Sequence, residues 1–334
     1  ELQMTRPLVA ARRSFDSRQL IFLKVTSSNG QTGWGEAATL EDWGSESYEV
    51  SLEQITECTR TLAPPQTPVA RFAWDIAMAD LMARQARLPL HAYWNEESTA
   101  RDAVRVNATL GAIREEDDFR SAASALIQRG FSCLKLKVGV FTVGVEAKRI
   151  IQLVGDNPGL RLRLDANGAW GSERAAEFIQ EIQKVADRIE YIEQPTPVGT
   201  ESTWSALKKL GIPIAADESC VVPNTISEIL ERNLADVLVL KPMVMGSVGR
   251  TFEIVSRAQE HGMDVVFTSS IDSALARTAV AHLAVACGVT RACGLATGEW
   301  FKADVASSTP EGEWLILPEG NGLGLAPNLR AIGH

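Results

Sequence analysis

The chain has 334 residues, 45% of them hydrophobic, and a formal net charge of −9 from 33 basic and 42 acidic side chains. This length suits one large α/β domain or a barrel with a smaller attached domain. The acidic balance, without a basic run or aromatic-interleaved patch, argues against a nucleic-acid or acidic-membrane partner. No secretory segment or membrane-spanning apolar run is recognisable, which predicts a cytoplasmic protein. The five cysteines form no CxxC pair, which predicts free thiols and no zinc site.

The first part of the chain predicts a small α+β domain. Two apolar runs, at 20–26 and 33–38, flank Asn29-Gly30, a dipeptide that accepts the positive φ of a tight hairpin turn. Helical periodicity follows over 48–62 and 70–85. The rest of the chain repeats a strand–helix pattern that a domain of this size is too small to contain. The first domain is therefore expected to pack over the open end of the barrel that this pattern forms.

The middle of the chain alternates strand and helix patterns. Several apolar runs end in ionisable residues, and successive runs are one strand, one helix and two loops apart. A parallel strand buried on both faces reads as a continuous apolar run, and a charge inside it is costly unless paired. Each charge must therefore lie where its strand ends. The runs are CLKLK (Lys135, Lys137), LRLRLD (Asp165), EYIE (Glu193), IPIAADE (Asp217, Glu218) and VLVLK (Lys241).

These charged strand ends predict one site. In a parallel β/α barrel the carboxyl ends of all strands emerge at one face, where barrel enzymes have their active sites. Asp165, Glu193 and Asp217 would converge there, and three close carboxylates repel one another unless a cation lies among them. Oxygen ligands favour a hard ion such as Mg²⁺. For any one of these residues alone, a structural ion pair is an equal alternative.

Two further apolar runs, at 264–270 and 292–297, complete eight strands if the first strand covers 104–110. The prediction is an α/β fold with a (β/α)8-type barrel. Among its helices, Thr225 and Glu228 are spaced as a capping box, and Gly130, Gly211 and Gly262 are expected to end helices. The predicted division is an α+β capping domain (1–102), the barrel with the charged strand ends (103–300) and a C-terminal segment that returns to the capping domain (301–334).

Several longer motifs carry a family resemblance. They are KLK at 135–137, DANGAW at 165–170, EYIEQP at 190–195, ADES at 216–219, LKP at 240–242 and GWGEA at 33–37. Together they resemble the enolase superfamily, specifically its muconate-lactonising branch, over nearly the whole chain. The resemblance implies a modified TIM barrel with an N-terminal α+β capping domain and a small-molecule carboxylate substrate, and it leaves a homo-oligomer open.

The resemblance also implies residue roles. Three carboxylates match the ligands of one Mg²⁺, with Mn²⁺ as an alternative ion: Asp165, Glu193 and Asp217. This ion stabilises the enediolate that forms when the proton α to a carboxylate is removed. Lys137 matches the base on the second strand and Lys241 the lysine on the sixth. Lys135 is expected to favour the neutral amine of Lys137, although a salt bridge from Lys135 to Asp165 or Glu193 is an equal alternative.

The absence of two sequence elements narrows the choice among the branches of the superfamily. The mandelate-racemase branch needs a histidine after the seventh strand, but 267–270 reads FTSS, and the four histidines lie in predicted helices or at the terminus. Dipeptide epimerases carry an Asp-x-Asp element after the eighth strand to hold an ammonium, whereas 294–297 reads GLAT. The resemblance therefore excludes the first branch and disfavours a substrate with a free α-amino group.

Within the muconate-lactonising branch, the chain is most similar to the o-succinylbenzoate synthase family of menaquinone biosynthesis. The motifs are VNATL at 106–110, LKPMVMGS at 240–247, TSSIDSALA at 268–276 and CGLATGEWF at 293–301. They imply a lyase that dehydrates a cyclohexadiene carboxylate, with Lys137 as base and Lys241 as a cation beside the intermediate. Two alternatives stay open: racemisation of N-acylamino acids by both lysines, and a catalytically silent barrel that binds or scaffolds.

The resemblance extends to residues around the metal and substrate. Three match positions where the family grips the succinyl arm, helix capping being the alternative for the serines: Ser269, Ser270 and Gly294. Three more are expected beside the metal ligands: Asn167, Glu218 and Arg163. Of these, Arg163 is expected to counter the charge of Glu218. The capping-domain loops at 12–15 and 43–45 are where such proteins close over substrate, with Trp43 as a lid residue or as packing.

Overall fold

A computed structural model describes residues 1–9, 14–99, 101–112 and 116–332. It consists of a parallel β/α barrel and a smaller N-terminal α+β domain that packs against loops following the barrel strands. Within those ranges, no helix has the length and apolar character that crossing a membrane requires. All five cysteines are free, as predicted.

Within the described residues, the capping domain contains two antiparallel hairpins and three α-helices. They are β1 (Leu2–Val9), β2 (Ser14–Arg18), β3 (Ile21–Thr26), β4 (Thr32–Ala37), α1 (Tyr48–Thr61), α2 (Pro68–Ala86) and α3 (Leu90–Trp94). The predicted hairpin around Asn29-Gly30 is confirmed by the β3–β4 pairing. Both predicted helices are confirmed as α1 and α2. The β1–β2 hairpin was not predicted.

Strand β4 lies directly on helix α2 because two glycines let the backbones meet. A Cβ at Gly35 would lie 1.9 Å from Ala73 O, and one at Gly33 would lie 2.1 Å from Ala77 O. Both separations are far below van der Waals contact, so any other residue would push the helix away from the strand. Glu36, between the helix contact and the barrel, is positioned by this packing.

We expect Gly35→Ala to lower the free energy of unfolding by about 3 kcal/mol, because the added methyl overpacks a backbone contact. Gly155→Ala is the matched control, since Gly155 lies within a barrel helix (Val143–Asp156), and nothing outside that helix lies within 4 Å of where an added Cβ would be. That change should raise stability by up to about 1 kcal/mol. Urea denaturation of both variants checks the prediction, and equal effects would contradict it.

Seven parallel strands form the barrel sheet, each paired with its neighbours in sequence. After a short strand β5 (Ala103–Arg105) come β6 (Ala108–Ala112), β7 (Cys133–Lys137), β8 (Arg161–Asp165), β9 (Ile189–Glu193), β10 (Ile214–Ala216), β11 (Val237–Leu240) and β12 (Asp264–Phe267). The helices are α4 (Glu116–Gln128), α5 (Val143–Asp156), α6 (Ser172–Glu181), α7 (Trp204–Lys208), α8 (Pro223–Arg232), α9 (Pro242–Met245), α10 (Val248–Glu260) and α11 (Ala274–Ala286).

The barrel closes differently from the prediction. In place of an eighth strand over 292–297, single bridges join Cys293 to Val106 and Gly294 to Thr268. Glycine and alanine are poor strand formers, and a Cβ at Gly294 would lie 2.5 Å from Thr268 Oγ1, which explains why this segment pairs only briefly. The predicted first strand, 104–110, is also divided, because β5 leaves the barrel to pair with a later strand and only β6 belongs to the sheet.

The helix-end predictions are confirmed in part. Gly130, Gly211 and Gly262 have positive φ beyond the ends of α4, α7 and α10. The capping box of Thr225 and Glu228 is wrong, because α8 already begins at Pro223 and no side chain caps it. Proline is favoured at the first helical position, so it starts the helix two residues earlier.

Residues after 300 contact both parts of the molecule. Strand β13 (Trp314–Ile316) pairs antiparallel with β5 at the foot of the barrel. The backbone N–H of Lys302 donates to Gln3 O at 2.9 Å, and Leu323 N donates to Asp80 Oδ1 at 2.7 Å. This last stretch therefore links the barrel to the capping domain through hydrogen bonds that its backbone N–H groups donate.

Candidate active site at the carboxyl ends of the barrel strands

Strand register brings the predicted charged residues to one level of the barrel. Lys137 is the Cα partner of Asp165, and Asp165 is the partner of Glu193. Glu193 in turn pairs with Ala215, two residues before Asp217. Because these strands are parallel, their last residues form one rim, and the ionisable side chains meet there.

Ion pairs join the carboxylates to two lysines. Lys135 Nζ lies 2.9 Å from Asp165 Oδ2 and 2.7 Å from Glu193 Oε1. Lys241 Nζ contacts Asp217 Oδ1. All three carboxylates are buried. Lys135 therefore makes the salt bridges that the sequence analysis gave as an alternative role. That Lys135 also favours the neutral amine of Lys137 stays a prediction.

Burial and mutual charge perturb these groups strongly. Burial, followed by the charge of Asp165, raises the pKa of Glu193 to about 8. Burial lowers the pKa of Lys135, but the charges of its carboxylate neighbours outweigh it and hold the net pKa well above its usual value. Burial raises the pKa of Asp217, while Lys241 and Lys135 bring it below its usual value. The rim is thus a concentrated cluster of negative charge that requires positive charge to be stable.

The residues present fit a divalent cation in their chemistry. No group of three or more His, Cys, Asp or Glu side chains in the described residues is arranged to hold a metal as it stands. The Lys135 ammonium, however, is a positive charge already held between Asp165 and Glu193. Glu193 Oε2 is buried without a hydrogen-bond partner, an orphaned acceptor that a cation would satisfy. Asp165, Glu193 and Asp217 therefore stay the predicted donors for a hard ion.

Two of the three residues expected beside the three carboxylates lie there. Asn167 N donates to Asp165 Oδ1 at 3.0 Å, and Asn167 Nδ2 donates to Glu218 Oε1 at 2.9 Å. The prediction that Arg163 counters Glu218 is wrong. Arg163 is buried near the other end of the barrel interior, where it forms an ion pair with Glu190 and donates to Asn107 Oδ1.

The two serines predicted to touch substrate follow strand β12. Ser269 Oγ donates to Asp272 Oδ1 at 3.0 Å and accepts hydrogen bonds from Ile271 N at 2.9 Å and Thr297 Oγ1 at 3.1 Å. Ser270 N donates to Asp272 Oδ2 at 2.9 Å. Ser269 thus also shapes its own loop, and contact of either serine with a ligand stays a prediction.

Gly294, the third predicted substrate contact, lies next to this loop. Its N–H donates to Phe267 O at 2.8 Å, and its carbonyl accepts from Ser269 N at 3.1 Å. Both backbone groups are therefore engaged in the barrel. The place that a side chain at Gly294 would take is already filled by Thr268, since a Cβ there would lie 2.5 Å from Thr268 Oγ1. A role of Gly294 in binding therefore also stays a prediction.

The capping domain contributes loops to this end of the barrel. Trp43 is partly buried and packs in an apolar cluster that includes Leu40, Val244 and Ile271, so it bridges the two domains. This is packing at the domain junction, and a lid role for Trp43 stays a prediction. In the other predicted closing loop, 12–15, positions 12 and 13 lie outside the described residues.

Sequence reasoning missed Gln194, which connects strand β9 to the segment that follows β10. Gln194 has a φ of 41°, and its Oε1 accepts hydrogen bonds from Asp217 N and Ser219 N, each at 3.2 Å. It therefore ties the end of β9, where Glu193 lies, to the residues after β10. Its place within the EYIEQP motif, directly after Glu193, was the available signal.

The histidines also hold an unpredicted feature, away from the rim. His91 and His282 are both buried, their Nδ1 atoms are 2.9 Å apart, and His91 N donates to His282 Nδ1 at 3.2 Å. Because His282 Nδ1 is an acceptor, this ring must be neutral. Burial, followed by the neighbouring His91, lowers the pKa of His282 to about 3.

This pair predicts an acid-sensitive contribution to stability. Unfolded histidine takes up a proton near pH 6.5, whereas folded His282 does so only near pH 3, so the free energy of unfolding falls as pH drops below about 6.5, by up to about 1.4 kcal/mol per pH unit. His282→Gln keeps an acceptor but does not titrate, and should show a shallower decline between pH 6.5 and 4. The exposed His261→Gln is the control, and identical slopes in all three proteins would refute the assignment.

The fold and site define a class: a β/α-barrel protein with a capping domain and a carboxylate–lysine site at the carboxyl ends of the strands. Residues 118–331 match the family described as "Enolase C-terminal domain-like". The chain belongs to this family, and it is an enzyme of the enolase superfamily, in the muconate-lactonising branch.

Individual relatives span several reactions. The chain is 27% identical to muconate cycloisomerase 1 of Rhodococcus opacus, over 99% of this chain and 95% of that protein. It is 28% identical to o-succinylbenzoate synthase of Thermosynechococcus vestitus, covering 92% and 94%. It superposes on a dipeptide epimerase from Enterococcus faecalis, complexed with Mg and the dipeptide L-Leu-L-Tyr, with a TM-score of 0.82 and 26% identity over 97% and 96% of the chains. These relatives share a fold and a superfamily but differ in reaction.

Proposed function

We propose that the chain is an o-succinylbenzoate synthase, a Mg²⁺-dependent lyase that dehydrates 2-succinyl-6-hydroxy-2,4-cyclohexadiene-1-carboxylate. The observation that carries the proposal is the shared level of Lys137, Asp165 and Glu193 at the strand ends, with Lys241 paired to Asp217 on the same rim. The similarity to a synthase over nearly the full length of both chains supports it.

The proposed reaction uses one lysine twice. When bound by the rim carboxylates, Mg²⁺ supplies fixed positive charge for the substrate carboxylate as that group becomes more negative. Lys137 removes the proton from the ring carbon α to the carboxylate. The same ammonium then donates this proton to the departing hydroxyl group, so that one water is lost and the ring becomes aromatic. Lys241 acts as a cation beside the intermediate, held in place by Asp217.

The chemistry of the loops favours an acyl arm over a free amine on the substrate. Residues 294–297 contribute no carboxylate, and Thr297 Oγ1 donates to Ser269 Oγ. The nearby carboxylate of Asp272 is buried and accepts hydrogen bonds from Ser269 and Ser270. An ammonium group would therefore lack a free acidic partner at this loop, whereas a succinyl carbonyl or carboxylate can accept from hydroxyl groups.

Turnover tests the proposal directly. Purified protein with Mg²⁺ and the cyclohexadiene should produce a rise in aromatic absorbance, and chelation of the metal should stop it. If the absorbance does not change, the synthase assignment fails. If Mg²⁺ also does not bind, as measured by calorimetry, the chain is a non-catalytic barrel of binding or scaffold function.

A second candidate, N-acylamino acid racemase, is supported by the presence of two lysines on one rim. Racemisation needs an acid and a base on opposite sides of the carbon. In D₂O, Lys241→Ala should then abolish deuterium exchange into one enantiomer only. Exchange into both enantiomers by the wild type, together with no aromatic product, would favour this reaction over dehydration.

A further inference from the structure

The loop that carries Ser269 and Ser270, residues 268–273, contains a strained backbone conformation. Ile271 has a φ of 58°, in the left-handed region that a β-branched residue rarely adopts. Such a conformation is unfavourable for a β-branched side chain and persists only where surrounding contacts impose it. The contacts that impose it here come from the capping domain as well as from the loop itself.

Arg18, the last residue of β2, holds the outer side of this turn. Its Nε donates to Ile271 O at 3.0 Å, and its Nη2 donates to Ser270 O at 3.3 Å and to Thr39 O at 2.7 Å. Arg18 is 6% exposed, so these hydrogen bonds from a charged donor are shielded from water. One capping-domain guanidinium thus fixes two consecutive carbonyl groups of the loop.

Glu36, in β4, holds the end of the loop where helix α11 begins. Its Oε1 accepts from Ser273 N at 2.8 Å, its Oε2 accepts from Ala276 N at 3.2 Å, and Ser273 Oγ also bonds to Oε2. Glu36 is 1% exposed and lies at a helix N-terminus, where backbone N–H groups and the helix dipole favour a carboxylate. The close packing of β4 on α2 sets the position of this side chain.

We propose that Arg18 and Glu36 are positioning residues: they form a clasp by which the capping domain sets the placement of Ser269 and Ser270, and hence the grip on the substrate's acyl arm. The inference rests on the proposed function for the identity of the arm. The clasp acts from behind the loop, so the capping domain determines specificity through residues that do not touch the substrate. The metal and lysine rim lies on other strands and is not part of the clasp.

The first test is amide hydrogen exchange, which does not depend on any substrate. Arg18→Met should increase exchange in peptides covering 268–276 and leave the strands β7 to β9 unchanged. Arg84→Met is the matched control, since Arg84 also lies in the capping domain and donates to a carboxylate, Asp80, and to a distant carbonyl, Leu325 O, but makes neither bond to the loop. Unchanged exchange at 268–276 in Arg18→Met would overturn the clasp.

The second test separates positioning from general stability. With whichever acyl-bearing substrate the wild type turns over, Arg18→Met should raise KM about tenfold, the equivalent of one charged hydrogen bond, while kcat changes by less than about threefold. Mg²⁺ affinity should not change. Arg18→Lys should recover part of the KM, because an ammonium can still donate to one carbonyl.

Glu36→Gln keeps the proposal testable if Arg18→Met does not fold. The neutral amide retains the shape of Glu36, but its NH₂ group would face an N–H donor of Ser273 or Ala276 in place of an acceptor. This variant should therefore raise both KM and amide exchange at 268–276, as Arg18→Met does. A KM equal to that of Arg84→Met would overturn the positioning role. If neither the cyclohexadiene nor an N-acylamino acid is turned over, the proposed function fails, and the exchange result still decides whether the clasp holds the loop.

Discussion

Replacing Lys137 with alanine is expected to reduce turnover by about 10³- to 10⁴-fold, since the substitution removes the group assigned as general base. Lys137 ends strand β7 opposite Asp165. Among the described contacts, the other two lysines of the rim, Lys135 and Lys241, each form an ion pair with a carboxylate. The measurement is the initial rate of aromatic product formation at saturating Mg²⁺.

Two further results make this experiment decisive. Lys148→Ala, on the exposed face of helix α5, is the control and should keep the wild-type rate. Mg²⁺ affinity of Lys137→Ala should equal that of the wild type, because Lys137 is not among the proposed ligands. If Lys137→Ala retains activity within tenfold of the wild type, the base must be another residue, and Lys241 would be the next to test.

Replacing Glu193 with glutamine is expected to weaken Mg²⁺ binding by about 100-fold or more, since even the loss of residues outside a ligand set costs 10- to 100-fold. The substitution removes a negative charge and places an amide where Glu193 Oε2 is buried without a partner. Isothermal titration calorimetry with Mg²⁺ measures the effect without any substrate.

Glu190→Gln provides the control from the same strand. Glu190 pairs with Arg163 near the other end of the barrel, so its replacement should lower stability but leave Mg²⁺ affinity within about twofold. Equal losses of affinity in both variants would mean that the effect is indirect. Unchanged affinity in Glu193→Gln would remove Glu193 from the ligand set.

The meeting of the charged residues at one end of the barrel could be predicted from sequence, because it depends on local patterns. Each of Asp165, Glu193 and Lys241 ends or directly follows an apolar strand, and parallel strands must end at one face. Arg163 shows the limit of this reasoning. Its two-residue offset from Asp165 places both side chains on the same face of β8, but two residues are also about 7 Å along a strand, enough to give Arg163 different partners.

Other features could not be predicted because their partners are far apart in sequence. Arg18 and Ile271 are separated by 253 residues, and His91 and His282 by 191. A buried arginine, glutamate or histidine has no periodicity that identifies its partner, and each alone resembles an ordinary polar residue. The missing eighth strand is different, because the glycine and alanine residues of 292–297 already signalled weak pairing.

The links between the last residues and the first domain have a consequence for the order of folding. Leu90 N and Gly322 O are 2.7 Å apart, and Lys302 bonds to Gln3, so the capping domain obtains these partners only after the barrel strands have been synthesised. Contacts between residues so distant in sequence are slow to form, because a long loop must close before they contribute. The barrel strands, which pair in sequence order, can assemble while the chain is still growing. The capping domain therefore reaches its final packing after the barrel, although it is synthesised before the barrel.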